Sequence, residues 1–319
     1  MNASPASPLP VILDVDTGID DALALLLAAT HPSLAVKAVT CAAGNVSLAQ
    51  VVENTLGVLD VAGRDDIPVA AGAEGPLVGR PRDASHVHGA NGLADITLPA
   101  HGGTPVDEHA VELLRRTLDE AVEPVTIIAL APLTNIALLL RMYPAVRPKI
   151  ARIVFMGGAI GTGNVTAVAE FNVWHDPEAA AVVLDSGVPT LMYGLEPFYA
   201  ATCDDTAIRA LTSSAQPAAR LAGRLLAYLT AGRGEEGRVR AGDAPLGDAG
   251  TVCAVIDPGA LTVVAANVGV ALAPGNTRGQ TIVDMRHTSP GAPGTPVSTG
   301  VVTAVDTARY RDLFVGALS

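Results

Sequence analysis

The chain has 319 residues, 49% of them hydrophobic and only 16% charged, with a formal net charge of −12. That length can bury a large core as a single α/β domain spanning 1–319, and the acidic balance argues against nucleic acid, whose phosphates demand clustered Lys and Arg. Cys41, Cys203 and Cys253 are scattered without metal spacing or a disulfide framework, no apolar run reaches membrane length, and a cytoplasmic enzyme with a small substrate that is not strongly anionic and no membrane partner is expected.

Residues 1–9 read as a flexible N-terminus with no basic or apolar leader. The apolar run 10–13 predicts a short buried strand, which Thr17-Gly18 breaks before a helix over 22–29. Leu34–Cys41 reads as a second strand ending at Gly44-Asn45, followed by a helix over 47–62 and a short strand over 68–71. Residues 72–105, rich in Gly, Pro and His, are too long for a simple connection and form a candidate active-site loop. A helix near 106–121, a β-branched strand over 125–130 and a helix opened by Pro132-Leu-Thr-Asn135 follow. Ile150–Met156 is the next clear strand, and 157–175 forms a second polar loop before the helix Pro177–Leu184, primed by its proline. Thr190–Tyr193 reads as a strand, and helical segments run to about 231. Beyond the Gly/Arg/Glu stretch 232–247, apolar runs at 262–273 and 280–284 suggest added antiparallel strands. The alternation predicts a single-domain, Rossmann-like, mostly parallel sheet flanked by helices.

Asp14, Asp16, Asp20 and Asp21 place four carboxylates within eight residues, at the carboxyl edge of the first strand and on the first turn of the helix behind it. Open α/β sheets bind their ligands at that edge. A helix N-terminus accommodates one or two acids as caps, but four close carboxylates repel unless a cation or a proton intervenes. Hard oxygens at this density, without Cys or His, suit Ca²⁺ or Mg²⁺. Capping with solvation alone is the bland alternative.

Two families end a first strand in Asp-x-Asp. Haloacid-dehalogenase-type phosphatases do, but their pattern sets Thr or Val two residues after the second Asp, whereas Thr17 follows Asp16 directly and Asp20-Asp21 has no place in it. The chain instead resembles the nucleoside hydrolases (the inosine-uridine preferring type), whose Asp-x-Asp-x-Gly-x-Asp-Asp opening is matched by Asp14, Asp16, Gly18, Asp20 and Asp21. Further matches run in order to about residue 258: Gly44-Asn45, which alone would read as a turn, Ala131-Pro-Leu-Thr-Asn135, Met156-Gly-Gly158 with Asn164, Glu170-Phe-Asn172, and Pro245-Leu-Gly-Asp248 with Asp257-Pro258.

The resemblance implies calcium-dependent release of a free base and ribose from ribonucleosides, with a homodimer or homotetramer as the assembly. It implies Ca²⁺ held by Asp16, Asp21, the Leu130 carbonyl and Asp248, with Asp14 in support and Asp16 also the general base. Asp20 and Asn45 would hold the 2′-hydroxyl, Asn164 and Glu170 the 5′-hydroxyl, and Asn172 the 3′ side. His88, in Val87-His-Gly89, matches a family histidine near the base; loop packing is its alternative role. Asp248 would serve equally as a helix cap. The departure is Gly247, where many members carry a histidine that assists the departing base. His175 belongs to the start of a structural helix, so leaving-group donors must come from His88, Tyr228 or the stretch 232–242 with Arg233, Glu235 and Glu236. Activated ribosides are then expected to be cut faster than inosine, with a lean toward pyrimidine nucleosides. Trp174, the sole tryptophan, rules out a purine held between two indoles. A non-catalytic calcium- and ribose-binding homologue is the other reading.

Overall fold

The computed structural model describes residues 7–230, 238–286 and 299–319. Their strands are β1 (Leu9–Val15), β2 (Leu34–Cys41), β3 (Val69–Ala71), β4 (Val125–Ala129), β5 (Ile150–Met156), β6 (Thr190–Tyr193), β7 (Thr202–Cys203), β8 (Ala244–Pro245), β9 (Leu261–Val270), β10 (Thr281–Asp284) and β11 (Thr299–Val305). Nine of them form one sheet in the order β10-β9-β11-β6-β5-β4-β1-β2-β3, and β7 pairs with β8 separately. Every pairing from β3 across to β11 is parallel, while β9 and β10 extend the β11 edge in antiparallel fashion.

Strand β1 starts earlier than the sequence suggests. Leu9, assigned to a flexible 1–9 segment, pairs with Leu34, and its N–H donates to the Ser33 carbonyl at 2.8 Å; residues 1–6 lie outside those described. From Pro10 to Val15 the strand is fully buried, as expected of a parallel strand covered on both faces. The helix Ile19–Thr30 that follows is buried from Ala22 to Ala29. It therefore carries no polar face, and it packs in one core with residues from the helices Leu48–Val61, Pro217–Thr230, Asp248–Ile256 and Thr307–Leu318. The opposite face of the sheet packs on helices Ala110–Glu120, Thr134–Met142 and Pro177–Leu184. Among the described residues no helix is long and apolar enough to cross a membrane.

After β1 the chain moves outward to β2 and β3, then returns to place β4 on the other side of β1. That reversal opens a crevice beyond the carboxyl ends of β1 and β4, the place where such sheets bind ligands.

Candidate active site

The end of β1 lies in the crevice, and hydrogen bonds fix it from both neighbours. Asp14 pairs with Thr40 on β2 and Ala129 on β4. Its Oδ1 accepts from Thr40 Oγ1 at 2.6 Å and from Asn135 Nδ2 at 2.8 Å. Asn135 also donates to the Cys41 carbonyl at 3.0 Å and accepts from the Ala73 N–H at 2.9 Å. The last residue of the Pro-Leu-Thr-Asn motif is thus a clamp that joins three strand ends. Burial pushes the Asp14 carboxyl up to about 7. Asp14 supports the site from beneath, while Asp16, two residues on, lines the cavity itself.

Asp16 Oδ2 accepts from the Asn45 N–H at 2.8 Å, which brings β2's Gly-Asn turn against the carboxylate. A Cβ at Gly44 would collide with that carboxylate, so the glycine is required by close approach and not only by the turn. Asp21 satisfies the start of its own helix: its oxygens accept from the Asp16 N–H at 3.2 Å, the Gly18 N–H at 3.0 Å and Asn45 Nδ2 at 3.1 Å.

Capping does not account for the rest of the cluster. Oxygens of Asp20, Asp21 and Asp248 lie within 4.8 Å of one another. Asp20 Oδ1 and Asp248 Oδ1 are buried without a hydrogen-bond partner among the described residues. Burial pushes Asp248 well above its ordinary value, and the neighbouring carboxylates of Asp20, Asp21, Asp16 and Glu170 push it further. Orphaned buried oxygens facing like charges fit a hard divalent cation. Asp20, tied by resemblance to the sugar, thus stands in the group best spaced for a cation. Asp16 and Leu130 line the same cavity.

The second polar loop faces the cluster across the crevice. The Glu170 carboxylate caps the short helix Phe171–His175 by accepting from the Asn172 and Val173 N–H groups at 2.8 and 3.0 Å, and it also accepts from the Gly158 N–H at 2.8 Å. Burial nevertheless raises it to about 7. Asn164 Oδ1 accepts from the Phe171 N–H at 2.9 Å, leaving its amide N–H groups for other acceptors. Asn172 Nδ2 donates to the Leu130 carbonyl at 2.6 Å and to the Met156 carbonyl at 3.2 Å. These contacts tie the loop to the ends of β4 and β5.

A cavity of about 270 Å³ is lined by Asp16, Asp20, Asn45, His88, Leu130, Asn164, Glu170, Asn172 and Asp248, with Gly247 beside them; Asp14, Asp21 and Asn135 stand behind that lining. His88 sits on a short helical turn, Ser85–His88, inside the long loop. Its Nδ1 accepts from the Ile19 N–H at 3.1 Å, and burial lowers its pKa to about 4. The imidazole is therefore neutral, with its remaining proton on Nε2. Gly247 adopts φ +56°, ψ −127°, and a Cβ there would stand 2.7 Å from Asp20 Cβ and 3.2 Å from Phe198. Thr17, the residue that set the phosphatase pattern apart, is buried and bonded to Thr55 at 2.6 Å. His175 is not among the residues lining this cavity.

Sequence reading missed the aromatic wall. Phe171, Trp174, Phe198 and Tyr199 also line the cavity, the last two from the helix Leu195–Ala200. Arg238 lies over the Tyr199 ring at 5.0 Å and donates to the Gly163 carbonyl, joining the second loop to this helix. Phe198-Tyr199 beside Pro197 reads as ordinary apolar packing, so only the fold reveals its position. Of the suggested donors, Arg233, Glu235 and Glu236 lie outside the described residues.

A model of the family described as inosine-uridine preferring nucleoside hydrolase matches residues 11–312. The pyrimidine-specific ribonucleoside hydrolase RihA of Escherichia coli O139:H28 (strain E24377A / ETEC) is 40% identical over 310 residues, covering 97% of this chain and 98% of that protein. Its counterpart from Salmonella agona (strain SL483) is 41% identical with the same coverage. Among solved structures, a plant nucleoside hydrolase superposes with a TM-score of 0.91 at 30% identity, covering 98% of this chain and 99% of the other. A purine-preferring ribonucleoside hydrolase from Gardnerella vaginalis gives 0.86 at 29%, covering 97% and 98%. The motifs converge on one crevice, and the match runs through nearly the whole chain: the protein belongs to the inosine-uridine preferring nucleoside hydrolase family.

Proposed function

We propose that this nucleoside N-ribohydrolase is calcium-dependent and favours pyrimidine ribonucleosides. The observation that carries the cation is the trio Asp20, Asp21 and Asp248, two of whose buried oxygens accept no hydrogen bond among the described residues. With Asp16 and the Leu130 carbonyl at the same cavity, these groups would hold a divalent ion, whose charge when bound would orient a water and vicinal sugar hydroxyls.

The chain's own groups then divide the work. Asp16 is anchored through one oxygen by the Asn45 N–H, and it accepts the proton of the attacking water. The water oxygen bonds to the anomeric carbon as the C–N bond breaks, and the electron pair leaves with the base. Asn45, Asn164, Glu170 and Asn172 grip the hydroxyls, holding the ring as it flattens toward an oxocarbenium-like state. Buried carboxylates around that carbon stabilise its developing positive charge. At the base end His88 offers a neutral N–H. With no imidazole at 247, the leaving group must carry most of its own charge. The pyrimidine preference draws support from His88 and from the pyrimidine-specific relatives.

The test is reducing-sugar release from uridine, cytidine and inosine by purified protein, with chelator and after calcium is restored. Turnover abolished by chelator and recovered with calcium is expected, with uridine cut faster than inosine. Undiminished turnover under chelator removes the calcium dependence; inosine as the better substrate removes the pyrimidine preference.

A further inference from the structure

Trp174 belongs to two cavities. One is the substrate cavity; the other, of about 490 Å³, is also lined by Arg80, Arg82, His175, Glu178 and Arg278. We infer that this second cavity binds a phosphate-bearing anion, because three arginines meet there around a buried histidine whose ring nitrogens have no hydrogen-bond partner among the described residues.

The chain has only 20 Lys and Arg against 32 Asp and Glu, so three arginines facing one carboxylate is a local inversion of its charge. Arg278 is matched by Glu178, to which it donates at 2.8 Å to each oxygen. The other two are not matched. Arg82 lies over the Trp174 ring at 3.8 Å, and neither it nor Arg80 has a carboxylate partner among the described residues. Two uncompensated guanidinium groups suit a phosphate, which carries nearly two negative charges and takes their forked donors bidentately, better than they suit a single carboxylate. His175 is only 4% exposed, and both its nitrogens lack a partner among the described residues. Buried ring nitrogens left unsatisfied are rare, and an anion in the cavity would accept the hydrogen bond that His175 has to give. The same indole walls both cavities, so an occupant pulling on Arg82 would be felt at the substrate.

The sole tryptophan makes the test direct. Trp174 fluorescence of the full chain is titrated with inorganic phosphate, and separately with glycerol 3-phosphate, at ionic strength fixed by sodium chloride and without excess calcium. A saturable change is expected, weakened at least tenfold by Arg80→Ala and strengthened by Glu178→Gln, which removes the competing carboxylate. Saturation by the ester alone assigns a phosphomonoester, and saturation by both assigns the phosphoryl group itself. The inference is overturned if neither ligand saturates, if sodium chloride alone reproduces the change, or if both variants bind as the wild type does.

Discussion

The Ile19 N–H donates to His88 Nδ1 at 3.1 Å, and that contact decides what the imidazole can offer. With Nδ1 occupied as an acceptor and the pKa lowered to about 4 by burial, His88 is a fixed Nε2–H donor and not a proton reservoir near neutral pH. His88→Ala should lower kcat/KM for uridine by roughly 10-fold to 100-fold, the range of one lost buried hydrogen bond. The ratio of wild type to variant should be flat between pH 5.5 and 8. A ratio that bends near pH 6.5 would show an ordinary, titrating histidine.

At position 247 the missing histidine is a property of the backbone. The φ of +56° favours glycine, and any Cβ would press on Asp20 and Phe198. Gly247→Ala should therefore cost about 1–3 kcal/mol of stability and weaken cation retention by displacing Asp20. Gly247→His should fail to speed inosine cleavage, and p-nitrophenyl riboside should stay far the better substrate. The check is kcat/KM for both substrates beside thermal melts. Faster inosine cleavage by Gly247→His would mean that the loop accommodates an imidazole after all.

Much of this was legible in the sequence. Strands β2, β5 and β6 and the helix Pro177–Leu184 fall where predicted, because mostly apolar stretches with Gly, Pro or Asp close to their ends leave little choice. The carboxylate cluster was legible because its charges are too close for solvation to explain. Strand β11 and the helix Thr307–Leu318 were not read, although Asp306 caps that helix by accepting from the Arg309 N–H at 3.2 Å. Strand β11 is seven residues long and takes its place from pairing with β6 and β9, contacts far away in sequence. For the same reason the clamp role of Asn135 and the Tyr199–Arg238 contact appear only in the fold.

Asp16→Asn removes the proposed base while keeping an oxygen for the Asn45 N–H, so the variant should fold. Loss of a general base lowers kcat by roughly 10²–10⁴-fold, and the lost charge at the cavity should deepen the defect. Steady-state kinetics with uridine in excess calcium, beside circular dichroism, decide the matter. Activity within tenfold of wild type would place the base elsewhere.

The buried carboxylates also set a pH dependence that the cation should reverse. Burial raises Asp14 and Glu170 to about 7, and Asp20 and Asp21 to about 6, from ordinary values of 3.8 for Asp and 4.5 for Glu. Between about pH 4 and 7 the folded chain thus holds more protons at these groups than the unfolded chain does. Their contribution to stability is full below the ordinary values and is lost as pH rises through 6 and 7. In chelator, the melting temperature should fall from pH 5 to pH 7.5. In calcium the trio is ionised against the bound charge, and saturation at 100 times Kd adds about 2.7 kcal/mol, so the gap between calcium and chelator should widen as pH rises. Calorimetric melts at pH 5, 6 and 7.5 under both conditions measure it. A gap that is absent, or that shrinks toward pH 7.5, would show that these carboxylates do not bind the cation.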